Sequence, residues 1–146
     1  MRSLKFRVWC KGKSDNPNFN KQKWFDISDI ILNKYIPIYC LFNESNNNFV
    51  IQQYTGLKDK NGKEIYEGDL INFSRKVELD ETWEYKNQEV SYDNECASFV
   101  FGKDILCMLD RIVLESLEVV GNIFENSEQT KECTDQTKVI HLLLDV

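Results

Sequence analysis

Apolar residues at every second position open the chain: Leu4, Phe6, Val8 and Cys10 alternate with Lys5, Arg7 and Trp9, the period of a half-buried strand. The segment KGKSDNPNFNKQK, residues 11–23, carries Asn-Pro and repeated lysine and asparagine, which is turn chemistry and predicts the most mobile loop of the protein. Ile27, Ile30, Ile31 and Tyr35 then follow helical spacing, so a short helix is expected with Asp26 or Ser28 as its cap and Pro37 at its end. After the polar NESNNN loop, Phe49, Ile51 and Gln53 alternate with Val50, Gln52 and Tyr54, which predicts a second strand. Ile71, Phe73, Val77 and Leu79 form one face of a third, opposite Asn72, Ser74, Lys76 and Glu78. Shorter alternating pieces recur at 89–93, 97–101 and 118–124. Between the last two, Asp104 precedes Ile105, Leu109 and Ile112, the spacing of a short helix or an irregular crossing. Short strands with turn signals between them, and few helical periods, predict a mainly β domain, either a barrel or a sandwich.

The stretch QYTGLKDKNGKEIYEGDLINF, residues 53–73, is the densest in turn residues. A two-residue Asn61-Gly62 hairpin would set Lys60 against Lys63 and Asp59 against Glu64, two like-charge pairs in succession. A three-residue loop, Lys60-Asn61-Gly62, instead makes Asp59 the first residue of a type I turn and gives Gly62 the left-handed position. It sets Asp59 opposite Lys63, Lys58 opposite Glu64 and Leu57 opposite Ile65, so every charge meets its complement. Glu67-Gly68-Asp69 then turns the chain into the next strand. The corner lacks the G-K-[ST] ending of a phosphate loop, and a calcium loop aligned on Gly62 would put Leu57 and Gly68 at ligand positions.

Length and charge narrow the function classes. At 146 residues the chain suits one domain with a real core. The longest apolar runs, such as 140–144, fall far short of the roughly 20 residues of a membrane span. The opening residues lack the apolar region of a signal peptide, so a cytoplasmic protein is expected. Five cysteines (Cys10, Cys40, Cys96, Cys107, Cys133) without a C-x-x-C pair, and a single histidine, His141, fit neither a disulfide framework nor a zinc site. Net charge is −6, unevenly spread: residues 1–75 carry 12 Lys/Arg against 8 Asp/Glu, and residues 76–146 carry 6 against 16. Residues 2–23 hold seven basic side chains against Asp15 alone. Such an arm can meet a phosphate backbone, an acidic partner or the acidic half of a neighbouring copy, or can be a solvated face.

Three segments in order, LKFRVW at 4–9, the 53–73 stretch and EVVGNIFEN at 118–126, resemble the YopX family of bacteriophage and prophage proteins. The resemblance spans roughly residues 1–126. It implies a predominantly β fold with an SH3-like barrel, encoded by a phage and acting in the bacterial cytoplasm, and it brings no catalytic residues. Gly56, Asp59, Asn61, Gly62, Gly68, Asp69 and Gly121 are the structural signature. Residues 127–146 depart from the family pattern: a polar tether, SEQTKECTDQTK, leads into the apolar VIHLLLDV, which is expected to dock, with a slight preference for a neighbouring copy.

An enzyme is the weakest expectation. His141 lies in the atypical tail, and acidic residues are too abundant for spacing to single out an acid–base pair. No cofactor is expected. Nucleic-acid binding would use Lys5, Arg7, Trp9, Lys11, Lys13 and Trp24, basic groups interleaved with aromatics that could hold phosphates and stack bases. The preferred expectation is a non-catalytic module that binds a protein partner or its own copies.

Overall fold

The computed structural model describes residues 4–32, 41, 48–76, 82–95, 97–101, 115–125 and 137–139. The protein is mainly β, with one short helix among the described residues, and divides into two compact units, Met1–Tyr54 and Thr55–Val146. The charge polarity follows that boundary: the first unit holds 8 Lys/Arg against 4 Asp/Glu, and the second 10 against 20.

In the first unit, β1 (Phe6–Lys11) runs between β2 (Gln22–Asp26) and the start of β3 (Phe49–Lys58), antiparallel to both. Val8 and Cys10 on the even-numbered face of β1 are buried as the alternation predicts, and Trp9 on the opposite face is buried too. Val8, fully buried, stands opposite Phe25 and Ile51 and joins Ile30, Leu41, Ile27 and Phe49 in one core. The helix α1 (Ile27–Ile31) starts where the Asp26 carboxylate accepts the Ser28 backbone N–H at 2.8 Å. The Ser28 bonds, side chain first, hold the Asp26 carboxyl below its ordinary value. Pro37 lies outside the described residues.

The 11–23 segment, expected to be the most mobile loop, has strand residues at its ends (Lys11, Gln22 and Lys23) and is anchored between them. Phe19 is 1% exposed, with its ring 5.5 Å from Phe25 and 5.4 Å from Phe49. Its carbonyl accepts from the Asn48 side-chain amide and the Cys10 thiol, both at 3.4 Å. Asn48 also accepts the Lys13 backbone N–H at 2.6 Å. One aromatic residue among polar ones thus converts a solvated loop into part of the core, because its burial repays the ordering of its neighbours.

The second unit carries the end of β3 and then β4 (Glu64–Tyr66), β5 (Asp69–Lys76), β6 (Thr82–Asp93), β7 (Ser98–Phe101), β8 (Glu118–Asn122) and β9 (Thr137–Val139). β5 lies between β6 and β8. The twelve-residue β6 pairs with β5 through Thr82–Glu89 and with β7 through Val90–Asp93. The sheet therefore curls, barrel-like, around Ile65, Ile71, Phe73, Tyr85, Val90, Phe99, Phe101, Leu117 and Val119. A bulge opposes Lys86 and Asn87 to Asn72; Asn87 takes φ 50° and donates its N–H to the Asn72 side chain at 2.8 Å, a left-handed position that asparagine tolerates. The expected strand face reached Val77 and Leu79, which lie outside the described residues, as does the 102–114 segment.

β9 belongs to the C-terminal extension. It pairs antiparallel with the outer edge of β6, Thr82 opposite Val139, Trp83 opposite Lys138 and Glu84 opposite Thr137. Of the apolar end 139–146 that was expected to dock, Val139 alone lies among the described residues, and it pairs with Thr82 of β6. Residues 140–146 lie outside the described residues. No helix of the described residues is long and apolar enough to cross a membrane.

Candidate functional site

The odd-numbered face of β1 assembles part of the proposed contact set. Trp9 and Trp24 are register partners with ring centroids 4.8 Å apart. The Arg7 guanidinium lies 4.1 Å over the Trp24 ring, a cation–π stack, and its Nε and Nη2 donate to Gln52 Oε1 at 3.0 and 2.9 Å. Lys5 Nζ stands 5.5 Å over the Tyr54 ring. Trp9 is 6% exposed and Trp24 half-buried, so the indole of Trp9 offers little surface on which a base could stack. Lys11 is half-buried at the strand end, and Lys13 exposed at the loop entrance. Gln52, 2% exposed, completes the constellation. It lies between Val50 and Tyr54 in the β3 alternation, where nothing in the sequence separates a solvated glutamine from a buried one.

The corner at 53–73 is held from below by two buried carboxylates. Asp59 N–H donates to Lys63 O at 2.8 Å, and Gly62 N–H to Asp59 O at 2.9 Å, with Gly62 at φ 82°. The hairpin therefore has the three-residue loop. Asp59 Oδ1 accepts the backbone N–H groups of Asn61 and Lys63, both at 2.9 Å, and its Oδ2 accepts that of Val119 at 3.1 Å. Burial works to raise the Asp59 pKa, but the N–H donors of Val119, Lys63 and Asn61, with the Lys63 charge, outweigh it and hold the carboxyl below its ordinary value. Asp69, 1% exposed, accepts the Tyr66 N–H at 2.8 Å and the Asn122 side-chain amide at 3.1 Å. Gly68, at φ 76°, donates to Val90 O at 2.7 Å and accepts from Ile123 at 3.0 Å. Gly56 sits in β3 at φ 92°, and Gly121 faces Leu70 across the β5–β8 register. These residues hold β8 against the corner, which is structural work. Asn122, fully buried beside Asp69, is the member sequence reasoning missed; a lone asparagine at a strand end carries no signal of its partner.

A family model described as YopX protein matches residues 5–131, most of the chain. The chain belongs to the YopX family. No curated protein matches it. Among solved structures, the crystal structure of protein EF1440 from Enterococcus faecalis is similar, with a TM-score of 0.50 and 22% identity over 88% of this chain and 99% of that one. At that identity the likeness speaks to the fold.

In this YopX-family chain, β9 lies beyond the matched residues. The family portion thus supplies β6, and a segment outside it pairs with the free edge. A groove of about 220 Å³ is lined by the stacked Phe73 and Tyr85, rings 4.7 Å apart and 17° from parallel. Its rim carries Glu84, Lys86, Ser116 and the Lys60–Glu118 ion pair. Among the described residues no group of three or more His, Cys, Asp or Glu side chains could hold a metal ion. His141, Cys40, Cys96, Cys107 and Cys133 lie outside the described residues, and Cys10 is a buried free thiol.

Proposed function

We propose that this YopX-family chain is a non-catalytic protein-binding module, phage- or prophage-encoded and acting in the bacterial cytoplasm, that recognises extended segments by pairing them with the outer edge of β6. The curled sheet supports reading the second unit as an SH3-like barrel. The observation that carries the proposal is the pairing of Thr137–Val139 with Thr82–Glu84: this edge accepts an extended segment in defined register, with main-chain hydrogen bonds as the source of affinity. The backbone terms hold the segment weakly. Two or three ladder hydrogen bonds contribute about 0.5–1.5 kcal/mol each, while ordering each residue costs about 1–2 kcal/mol. An occupant held so lightly gives way to another.

The test uses a labelled peptide of residues 131–141 and the full chain carrying Lys138→Pro and Val139→Pro. These substitutions remove two successive N–H donors, one of which points at β6 whichever the ladder phase. Saturable binding, absent for a peptide bearing the same two prolines, is expected. No binding up to millimolar peptide would sink the proposal.

A second reading, nucleic-acid binding, draws on the exposed Lys5, Lys13, Lys21 and Lys23 in the basic first unit. Salt-sensitive binding to single-stranded DNA, lost when these lysines become glutamate, would favour it instead.

A further inference from the structure

We propose that a second copy of this chain is a partner of the β6 edge, bound by reciprocal exchange of β9; the inference rests on the strand-docking reading above. The one segment known to fit Thr82–Glu84 is Thr137–Val139, and every other copy carries it with the same register. Exchange therefore preserves each backbone pairing of the closed chain and loses only the advantage of being tethered to the same molecule, an advantage that rising concentration offsets.

Connection length permits it. β8 ends at Asn122 and β9 begins at Thr137. The 14 intervening residues can span about 46–50 Å when extended, enough to reach the β6 edge of an adjacent molecule. Each copy carries a net charge of −6, so added salt, which screens the repulsion between copies, should favour the exchange. Trp83, the residue opposite Lys138, packs against the core, so the receiving edge is held by the body of its unit and does not depend on the strand that leaves.

The test mixes equal parts of isotopically labelled and unlabelled wild-type chain, equilibrated at several concentrations. Sedimentation should show a dimer growing with concentration. Isotope-filtered NMR should show contacts between Thr82–Glu84 amides of labelled chains and 137–139 protons of unlabelled ones. Lys138→Pro/Val139→Pro should abolish the dimer while leaving the dispersed spectrum of the core. Contacts confined to single chains at every concentration, or a dimer that survives the proline variant, would overturn the exchange. If the peptide still binds the proline variant while wild type stays monomeric, docking stands and self-exchange fails. If neither occurs, both fail.

Discussion

Replacing Asp59 with alanine removes one carboxylate that accepts three backbone N–H groups. Asn61 and Lys63 are exposed, so water can take over their donors, and each loss costs about 0.5 kcal/mol, at the low end of net hydrogen-bond values. The Val119 donor is different: Val119 is buried in the core cluster, and stranding its N–H costs about 1–3 kcal/mol. The sum is about 2–4 kcal/mol. With a urea slope of about 1–3 kcal/mol/M, the midpoint should fall by about 0.7–4 M. Asp59→Asn keeps one acceptor oxygen but turns an NH2 towards one of the donors, so it should fall between wild type and alanine. Because the folded Asp59 pKa is depressed, its stabilisation is fully present above the unfolded value of about 4 and disappears as pH drops through the lower folded value. The gap between wild type and Asp59→Ala should therefore stay constant from pH 8 to 5 and shrink below about 4. Urea unfolding across that range, with hydrogen exchange at the Val119 amide, is the assay. A midpoint change under about 0.3 M, or unchanged protection at Val119, would refute the reasoning.

Three further outcomes follow from the same contacts. Phe19→Ala should destabilise the first unit by about 3–5 kcal/mol and loosen the loop backbone so that trypsin cuts after Lys13 and Lys21 faster; retained resistance would mean the loop is held by something other than the ring. Gly12→Ala should cost more than Gly62→Ala. Both need positive φ, worth about 1–2 kcal/mol, but a Cβ at Gly12 would also meet Gln22 N and Lys21 C at 3.0 Å, whereas at Gly62 it meets nothing within 4 Å; equal melting temperatures would contradict this. Asp69→Ala leaves the Tyr66 N–H and the Asn122 amide without that carboxylate and should cost about 2–4 kcal/mol, read by thermal unfolding.

What was legible in the sequence was local. Alternation at Phe6, Val8 and Cys10 marks β1 because each apolar residue answers to one face, and like-charge avoidance at Lys60 and Lys63 selects the hairpin register before any tertiary contact. Long-range pairing was not legible. Trp9 sits in a polar-looking row yet is buried against Trp24, since period two assigns a face without saying what covers it. In β6, Trp83 and Tyr85 alternate with Glu84 and Lys86 for only two periods before the bulge at Asn87 shifts the phase. Asn122 and Gln52 act through partners 53 and 45 residues away. β9, three residues long, is too short for any periodicity and is specified by the edge it meets.

The most direct test of strand docking at β6 is backbone hydrogen exchange of wild type with and without the 131–141 peptide, resolved at Thr82–Glu84 and compared with Ile71 and Val90. The account predicts that β6 amides facing β9 exchange far faster than the core amides and slow markedly when peptide is added. Protection equal to the core, unchanged by the peptide, would contradict it.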